Sequence, residues 1–316
     1  MTLKEQVLSR LEQHRDISLS GQELAEELGV SRNAVWKAIN ALKREGYAIE
    51  SSTNRGYRLS ADCDRLSEGQ IREGLSDKQL PVFVFPSLDS TNEEARRRLT
   101  QQDSRCFVVA AEEQTAGRGR RGRSFYSPKD TGLYLTLATS PKTTLDRMVG
   151  VTAYAAVCTA RVIRDLCGKQ PQIKWVNDLF LDGRKIGGIL TEAISDFETG
   201  QVSHLMIGIG LNLRPCAVPV ELRDTIGFLQ VSGMKNHIAA AIINALLQYD
   251  ERDTAYMEDY RRWSLVLGRE IIYEKEGRRQ SGTVMAIHDD GALKIRQIDG
   301  STVFLRSGEI TLRIKE

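Results

Sequence analysis

At 316 residues, with 27% charged side chains and a formal net charge of +2, the chain is too long for one typical domain of roughly 100–200 residues and too near neutral for a nucleic-acid role to rest on more than a local patch. No apolar run approaches the ~20 residues of a membrane span, and the charged, amphipathic stretch Met1 to Arg15 is unlike a signal peptide, so a cytoplasmic protein without membrane contact is expected. The five cysteines, Cys63, Cys106, Cys158, Cys167 and Cys216, are odd in number and form no C-x-x-C pair, which argues against a disulfide framework and a zinc site.

Leu3, Val7, Leu8 and Leu11 fall on one helical face, and Ser20-Gly21-Gln22-Glu23 is an S-x-x-E capping box for a second helix reaching Leu28. Gly29-Val30-Ser31 ends that helix and caps a third, in which Val35, Ala38, Ile39 and Leu42 point one way and Asn33, Lys37, Asn40 and Arg44 another. This predicts a helix-turn-helix. Tyr47 to Ile49 and Tyr57 to Leu59 bracket the loop Ser51 to Gly56 and predict a hairpin with a basic tip, the wing of a winged helix. From Val30 to Leu59 six basic residues (Arg32, Lys37, Lys43, Arg44, Arg55, Arg58) face two acids (Glu45, Glu50). The candidate DNA-contacting set is Arg32, Asn33, Lys37, Asn40, Arg44, Asn54 and Arg55, because amide and guanidinium donors can reach base edges while cations meet phosphates. Trp36 is expected to pack against the hairpin. The alternative is a module for protein contacts.

In the middle of the chain Pro81 to Phe85 reads as a strand, and Ser87 to Asn92 leads into a charged helix, Glu93 to Leu99. Small polar residues at such a place are usually caps. The strands Phe107 to Ala111 and Gly132 to Thr139 flank Gln114-Thr115-Ala116-Gly117-Arg118-Gly119-Arg120-Arg121-Gly122-Arg123. Glycine lets backbone approach a ligand, and guanidinium forks match phosphate or carboxylate oxygens. By itself the loop fits anion capture, a nucleic-acid arm or a solvated surface loop. A long helix, roughly Leu145 to Cys167, precedes a hairpin from Ile173 to Leu190 with its tight turn at Asp182-Gly183. Beside Lys185, Gly187 and Gly188 remove side chains and allow close approach. Met206 to Leu213 is a strand whose alternate glycines, Gly208 and Gly210, must abut something. Short alternating runs at Ile271 to Tyr273, Ser281 to Ile287, Ala292 to Gln297 and Thr302 to Leu305, punctuated by Gly277, Asp290-Gly291 and Asp299-Gly300, predict a small antiparallel barrel.

Four blocks in order, GRGRRG (Gly117 to Gly122), KWVND (Lys174 to Asp178), KIGGIL (Lys185 to Leu190) and GIGLNL (Gly208 to Leu213), resemble the signature blocks of biotin protein ligases. With the amino-terminal winged helix, nearly the whole chain resembles the bifunctional form of that family, which both ligates biotin and represses transcription. The resemblance implies an α+β multidomain fold: a winged helix-turn-helix over 1–62, a central mixed α/β ligase domain of the biotin/lipoate type over 63–266, and an SH3-like β-barrel over 267–316. It implies ATP-dependent joining of biotin, through biotinyl-5′-AMP and with Mg2+, to a lysine of the biotin carboxyl carrier protein of a biotin-dependent carboxylase. Homodimerisation promoted by biotinyl-AMP would then repress genes of biotin synthesis or transport at an operator.

Carried over by position, the resemblance makes Lys185 and Arg120 catalytic. Ser90, Thr91, Asn92, Gln114, Gly117, Arg118, Arg120, Lys185 and Gly188 would bind biotin. The adenylate would meet Arg120, Arg121, Arg123, Phe125, Asn177, Asp178, Lys185 and Asn212, with Asp178 as candidate metal ligand. Two positions depart from the family pattern: Val176 stands where proline is usual and Phe125 where tryptophan is usual. The alternatives are a ligase without DNA binding, a ligand-sensing regulator without ligase activity, and a lipoate-type ligase.

Overall fold

The computed structural model describes residues 2–52, 55–61, 63–101, 106–141, 143–196, 198–275, 278–306 and 310–312. Asn54 of the wing tip and the Gly277 turn lie outside these residues.

Three helices open the chain: α1 (Leu3–Gln13), α2 (Gly21–Glu27) and α3 (Arg32–Arg44). Both halves of the Ser20/Glu23 capping box form, with the Glu23 amide donating to Ser20 Oγ at 3.0 Å and the Ser20 amide donating to the Glu23 carboxylate at 2.9 Å. Ser31 caps α3 by accepting from the Ala34 amide at 3.2 Å. Such caps satisfy amides that the first turn leaves without partners. The antiparallel hairpin of β1 (Ile49–Ser52) and β2 (Gly56–Leu59) follows. Gly56, at φ +87°, lets the hairpin meet the chain before α2: a Cβ there would lie 2.1 Å from the Leu19 carbonyl oxygen. Val7, Leu8, Leu11, Val35, Ala38, Ile39, Leu42 and Leu59 form a core separate from the rest of the molecule.

One expectation fails here. Trp36 does not pack on the hairpin; it is exposed among the large apolar side chains. It follows Val35 by about 100° around the helix, which turns it away from the core that Val35 enters.

The central unit comprises α4 (Glu68–Gly74), β3 (Val82–Phe85), α5 (Thr91–Gln101), β4 (Phe107–Ala111), β5 (Gly132–Thr139), α6 (Met148–Cys167), β6 (Gln172–Lys174), β7 (Asp178–Leu181), β8 (Arg184–Ser195), β9 (Val202–Asn212), α7 (Lys235–Leu246) and α8 (Tyr256–Arg262). A 3-10 turn over Leu145–Arg147 precedes α6, so the long helix starts later than its sequence pattern suggests. The seven-stranded sheet has the order β3-β4-β5-β9-β8-β7-β6; β3 and β4 are parallel and the remaining neighbours antiparallel. Strand alternation sends Val108, Ala110, Leu133, Leu135 and Leu137 toward α6 and α7. Phe107, Val109, Ala138 and Met206 face Ala95 and Leu99 of α5. That second face, beyond the end of α5, becomes the floor of the site.

The C-terminal module is a five-stranded antiparallel sheet of order β13-β12-β11-β10-β14, made by β10 (Glu270–Lys275), β11 (Arg278–Ile287), β12 (Leu293–Gln297), β13 (Thr302–Leu305) and β14 (Ile310–Leu312). Its core is continuous with the central one: Ile271, Tyr273, Val284 and Ile295 join the cluster that holds Ile173 and Trp175. All five cysteines are free. Among the described residues no helix is long and apolar enough to cross a membrane.

Candidate active site

Sheet register assembles the floor. Tyr134 of β5 pairs with Gly210 of β9, Gly210 with Gly188 of β8, and Gly188 with Asp178 of β7. Two residues along, on the same face, Thr136, Gly208 and Leu190 form a parallel row. The glycines are spaces that other side chains use. A Cβ on Gly208 would lie 2.3 Å from Asn92 Oδ1, and one on Gly210 would lie 2.4 Å from the Phe125 ring. Gly210→Ala is therefore expected to displace Phe125 and destabilise the fold by about 1–3 kcal/mol, read as a lower Tm together with weaker retention of nucleotide; an unchanged Tm would contradict the packing.

Above this floor lies a cavity of about 200 Å3 whose lining includes Ser90, Thr91, Asn92, Gln114, Arg118, Arg120, Arg123, Phe125, Asn177, Asp178, Lys185 and Gly188. Lys185 Nζ is 2.8 Å from Asp178 Oδ1 and 5.9 Å from the centre of the Phe125 ring. Its main chain is anchored, since the Lys185 amide donates to the Thr225 carbonyl at 2.8 Å and the Gly227 amide donates to the Lys185 carbonyl at 2.8 Å. Arg120 donates to Asn177 Oδ1 at 3.4 Å, and Asn177 Nδ2 donates to the Ile189 carbonyl at 2.9 Å. An ammonium and a guanidinium, held by the adjacent residues Asp178 and Asn177, thus line one space.

At the other end, the start of α5 is capped by Gln114, because the Thr91 amide and hydroxyl reach Gln114 Oε1 at 2.8 and 3.1 Å. Gln114 Nε2 donates to Ser127 Oγ at 2.9 Å. Asn92 is buried; Nδ2 donates to Glu192 at 2.8 Å, and Oδ1 accepts from Thr136 at 2.6 Å. Asp89, beside Ser90, accepts two hydrogen bonds of 2.8 Å from Arg97, and these hold its carboxyl down at about 2. Burial pushes the Tyr134 and Tyr260 phenols above their usual range, and Tyr260 donates to the Val176 carbonyl at 3.1 Å. The Trp175–Val176 peptide is cis.

In the arginine loop, Gly117 lies against the Phe125 carbonyl, where a Cβ would come within 2.4 Å. Across the loop the Phe125 amide donates to the Gly117 carbonyl at 2.8 Å and the Gly119 amide to the Arg123 carbonyl at 2.7 Å. Arg118 donates to Glu93 Oε1 at 2.5 Å. Arg121 has a left-handed backbone, φ +57°, and its side chain is exposed away from the cavity lining. Asn212 also stands outside the lining: its amide donates to the carbonyls of Lys185 at 3.3 Å and Gly227 at 3.1 Å, so it positions Lys185 from behind.

Sequence reasoning did not select Lys174, Trp175, Ser124, Leu190 or Ile310, which also line the cavity. The first two sit in the KWVND block, a signal that was present. Ile310 comes from β14 and carried none.

The profile of the Biotin/lipoate A/B protein ligase family matches residues 84–212, and an HTH domain profile matches residues 4–58. The bifunctional ligase/repressor BirA of Bacillus subtilis is 32% identical over 312 residues, covering 95% of both chains. The BirA of Escherichia coli is 31% identical over 307 residues, covering 94% of both. The chain belongs to the bifunctional biotin ligase/repressor family. A biotin protein ligase of Aquifex aeolicus, solved in complex with biotin and ATP, shares the fold with a TM-score of 0.62 at 22% identity, over 74% of this chain and 99% of that one. The stretch matched by the ligase profile carries the central site residues from Ser90 to Asn212, and the HTH profile spans α1 to β2. Both halves of the bifunctional family are therefore present in this member.

Proposed function

We propose that this member of the family forms biotinyl-5′-AMP from biotin and ATP and passes the biotinyl group to a lysine of the biotin carboxyl carrier protein of a biotin-dependent carboxylase. The convergence of Lys185, Arg120, Asn177 and Asp178 on one glycine-floored cleft carries the reading. In the first step a biotin carboxylate oxygen bonds to the α-phosphorus and the bond to pyrophosphate breaks. In the second the acceptor amine attacks the acyl carbon, loses a proton and releases AMP. The first step brings anions together, so cations fixed before the reaction lower its barrier.

Lys185 and Arg120 supply these cations. Ser90, Thr91, Asn92, Gln114, Gly117, Arg118 and Gly188 hold biotin; Arg123, Phe125, Asn177 and Asp178 meet the nucleotide, Asn212 acts through Lys185, and Arg121 stands exposed outside the lining. Mg2+, when bound with ATP, neutralises phosphate charge. Asp178 is the carboxylate among the lining residues, which fits a cation that takes one or two protein carboxylates beside phosphate oxygens.

The domain division at 62/63 and 266/267 follows the sequence reading. The C-terminal sheet acts as an SH3-like module that helps enclose the nucleotide; support comes from Ile310 in the cavity lining and from Trp175 Nε1 donating to the Gly291 carbonyl at 2.8 Å. Adenylate-loaded chains dimerise and repress biotin synthesis or transport genes from an operator, in the cytoplasm. The edge of β8 beyond Leu190 supports a dimer by strand addition, since β7 pairs with β8 only as far as Gly188.

The test is transfer of labelled biotin to a carrier domain with Mg-ATP. Label on the acceptor lysine with release of AMP and pyrophosphate is expected; no transfer would overturn the ligase reading. For the DNA side, Lys37→Ala with Arg55→Ala is expected to weaken binding and reduce the slope of log affinity against log salt by about two. An unchanged slope in a salt titration would remove these residues from the phosphate contacts.

A further inference from the structure

The inward stripe of α3 is complete without Trp36: Val35, Ala38, Ile39 and Leu42 are all buried. Asn33, Trp36, Lys37, Asn40, Lys43 and Arg44 share the outward face at helical spacing, and the indole at its centre is 54% exposed. Trp36, Lys37, Asn40, Lys43 and Arg44 line one shallow depression. A second observation points to a missing partner, because Asn40 Nδ2 is shielded from solvent and makes no hydrogen bond. Buried donors of this kind are normally paired.

The surroundings select the partner. An apolar ring bordered by Lys37, Lys43 and Arg44, with no acidic side chain among the residues lining the depression, matches a surface of methyl groups flanked by phosphates. The major groove of a duplex at A·T pairs is such a surface: thymine projects its C5-methyl, and adenine presents an acceptor beside a donor that an asparagine amide can pair with. Lys43 donates to Ser51 of the wing at 2.6 Å, which ties the face to β1.

Resting on the DNA-binding reading above, we infer that Trp36 and Asn40 are the sequence-reading pair of α3. The indole packs on a thymine methyl, and the Asn40 amide hydrogen-bonds an adenine edge nearby in the same half-site. Lys37, Arg44 and Arg55 position the helix through phosphates and contribute no base preference.

The experiment is selection from duplexes with a randomised core, using the full chain with biotin, ATP and Mg2+, in parallel for wild type, Trp36→Ala and Asn40→Ala. Wild type is expected to enrich a motif with fixed A·T pairs. Trp36→Ala should keep the motif's spacing but accept any base at one thymine position, and Asn40→Ala should lose an adenine. On the selected duplex, replacing that thymine by uracil removes one methyl and should weaken wild type about fourfold while leaving Trp36→Ala unaffected. Circular dichroism is expected to show both variants folded, since alanine favours helix. An unchanged motif for Trp36→Ala, or a wild type indifferent to uracil, overturns the inference and leaves DNA binding standing. Enrichment of no duplex by wild type overturns the DNA-binding reading and this inference with it.

Discussion

Lys185→Ala is expected to slow pyrophosphate release from biotin and Mg-ATP by about a thousandfold, with the chain still folded and still binding biotin. The Lys185 ammonium lies over a floor from which side chains are removed at Gly188 and Gly210, 2.8 Å from Asp178. Its main chain is fixed by Thr225, Gly227 and Asn212, so the cation is placed before substrates arrive. Removing it leaves the carboxylate of Asp178 without this partner at the place where carboxylate and phosphate must meet, which worsens the repulsion the site has to overcome. A preorganised charge acts on the step in which charge develops, so kcat for adenylate formation should fall far more than biotin affinity. Lys185→Arg, which keeps charge but changes its shape, should recover only part of the rate. Single-turnover pyrophosphate release decides the matter: a Lys185→Ala rate within tenfold of wild type would remove the lysine from the chemistry.

Lys235→Ala is expected to lower stability by about 3–5 kcal/mol, the largest loss foreseen for a residue outside the cleft. Lys235 is 0% exposed and Glu112 2%, with Nζ 2.7 Å from Oε2. Glu112 Oε1 accepts from the Leu66 amide at 2.5 Å, and the Lys235 amide donates to Asp64 at 2.8 Å. The pair thus fastens the segment after the winged helix to the end of β4 and the first residue of α7. A cation at a helix N-terminus is unfavourable for the helix dipole, and Glu112 offsets it. Without the lysine, a carboxylate stays buried with its charge uncompensated. Replacing both partners, as Lys235→Met with Glu112→Leu, should restore part of the loss, because two apolar groups need no compensating charge, but not all of it, since the Leu66 amide then loses its acceptor. Urea unfolding followed through the helix signal tests this; a wild-type midpoint for Lys235→Ala would contradict it.

The winged helix was legible because its signals are local. A capping box joins residues three apart, and an apolar stripe repeats within a few turns, so Ser20, Ser31 and the face through Val35, Ala38, Ile39 and Leu42 could be placed in advance. The turn at Asp182-Gly183, with φ of +50° and +76°, was legible for the same reason. Trp36 departs from the expectation because its angle around the helix, about 100° from Val35, decides its exposure over its hydrophobicity. At the site, the chemistry-bearing blocks stood out as Lys185 beside glycines and arginines among glycines. What those glycines accommodate did not: Asn92 fills the space over Gly208 and Phe125 the space over Gly210.

The sequence by itself determined the kinds of element, the charged residues available for an anionic substrate and the basic face of α3, since these follow from composition and short-range spacing. Only the tertiary structure decided which of them meet. The tertiary fold aligned Tyr134, Gly210, Gly188 and Asp178 across four strands through their register, left Arg121 exposed outside the cavity lining and set Asn212 behind Lys185. It also joined Glu112 to Lys235, 123 residues away. The reason is that such contacts depend on strand order and on which strand face points toward which helix, and one step of register exchanges the two faces.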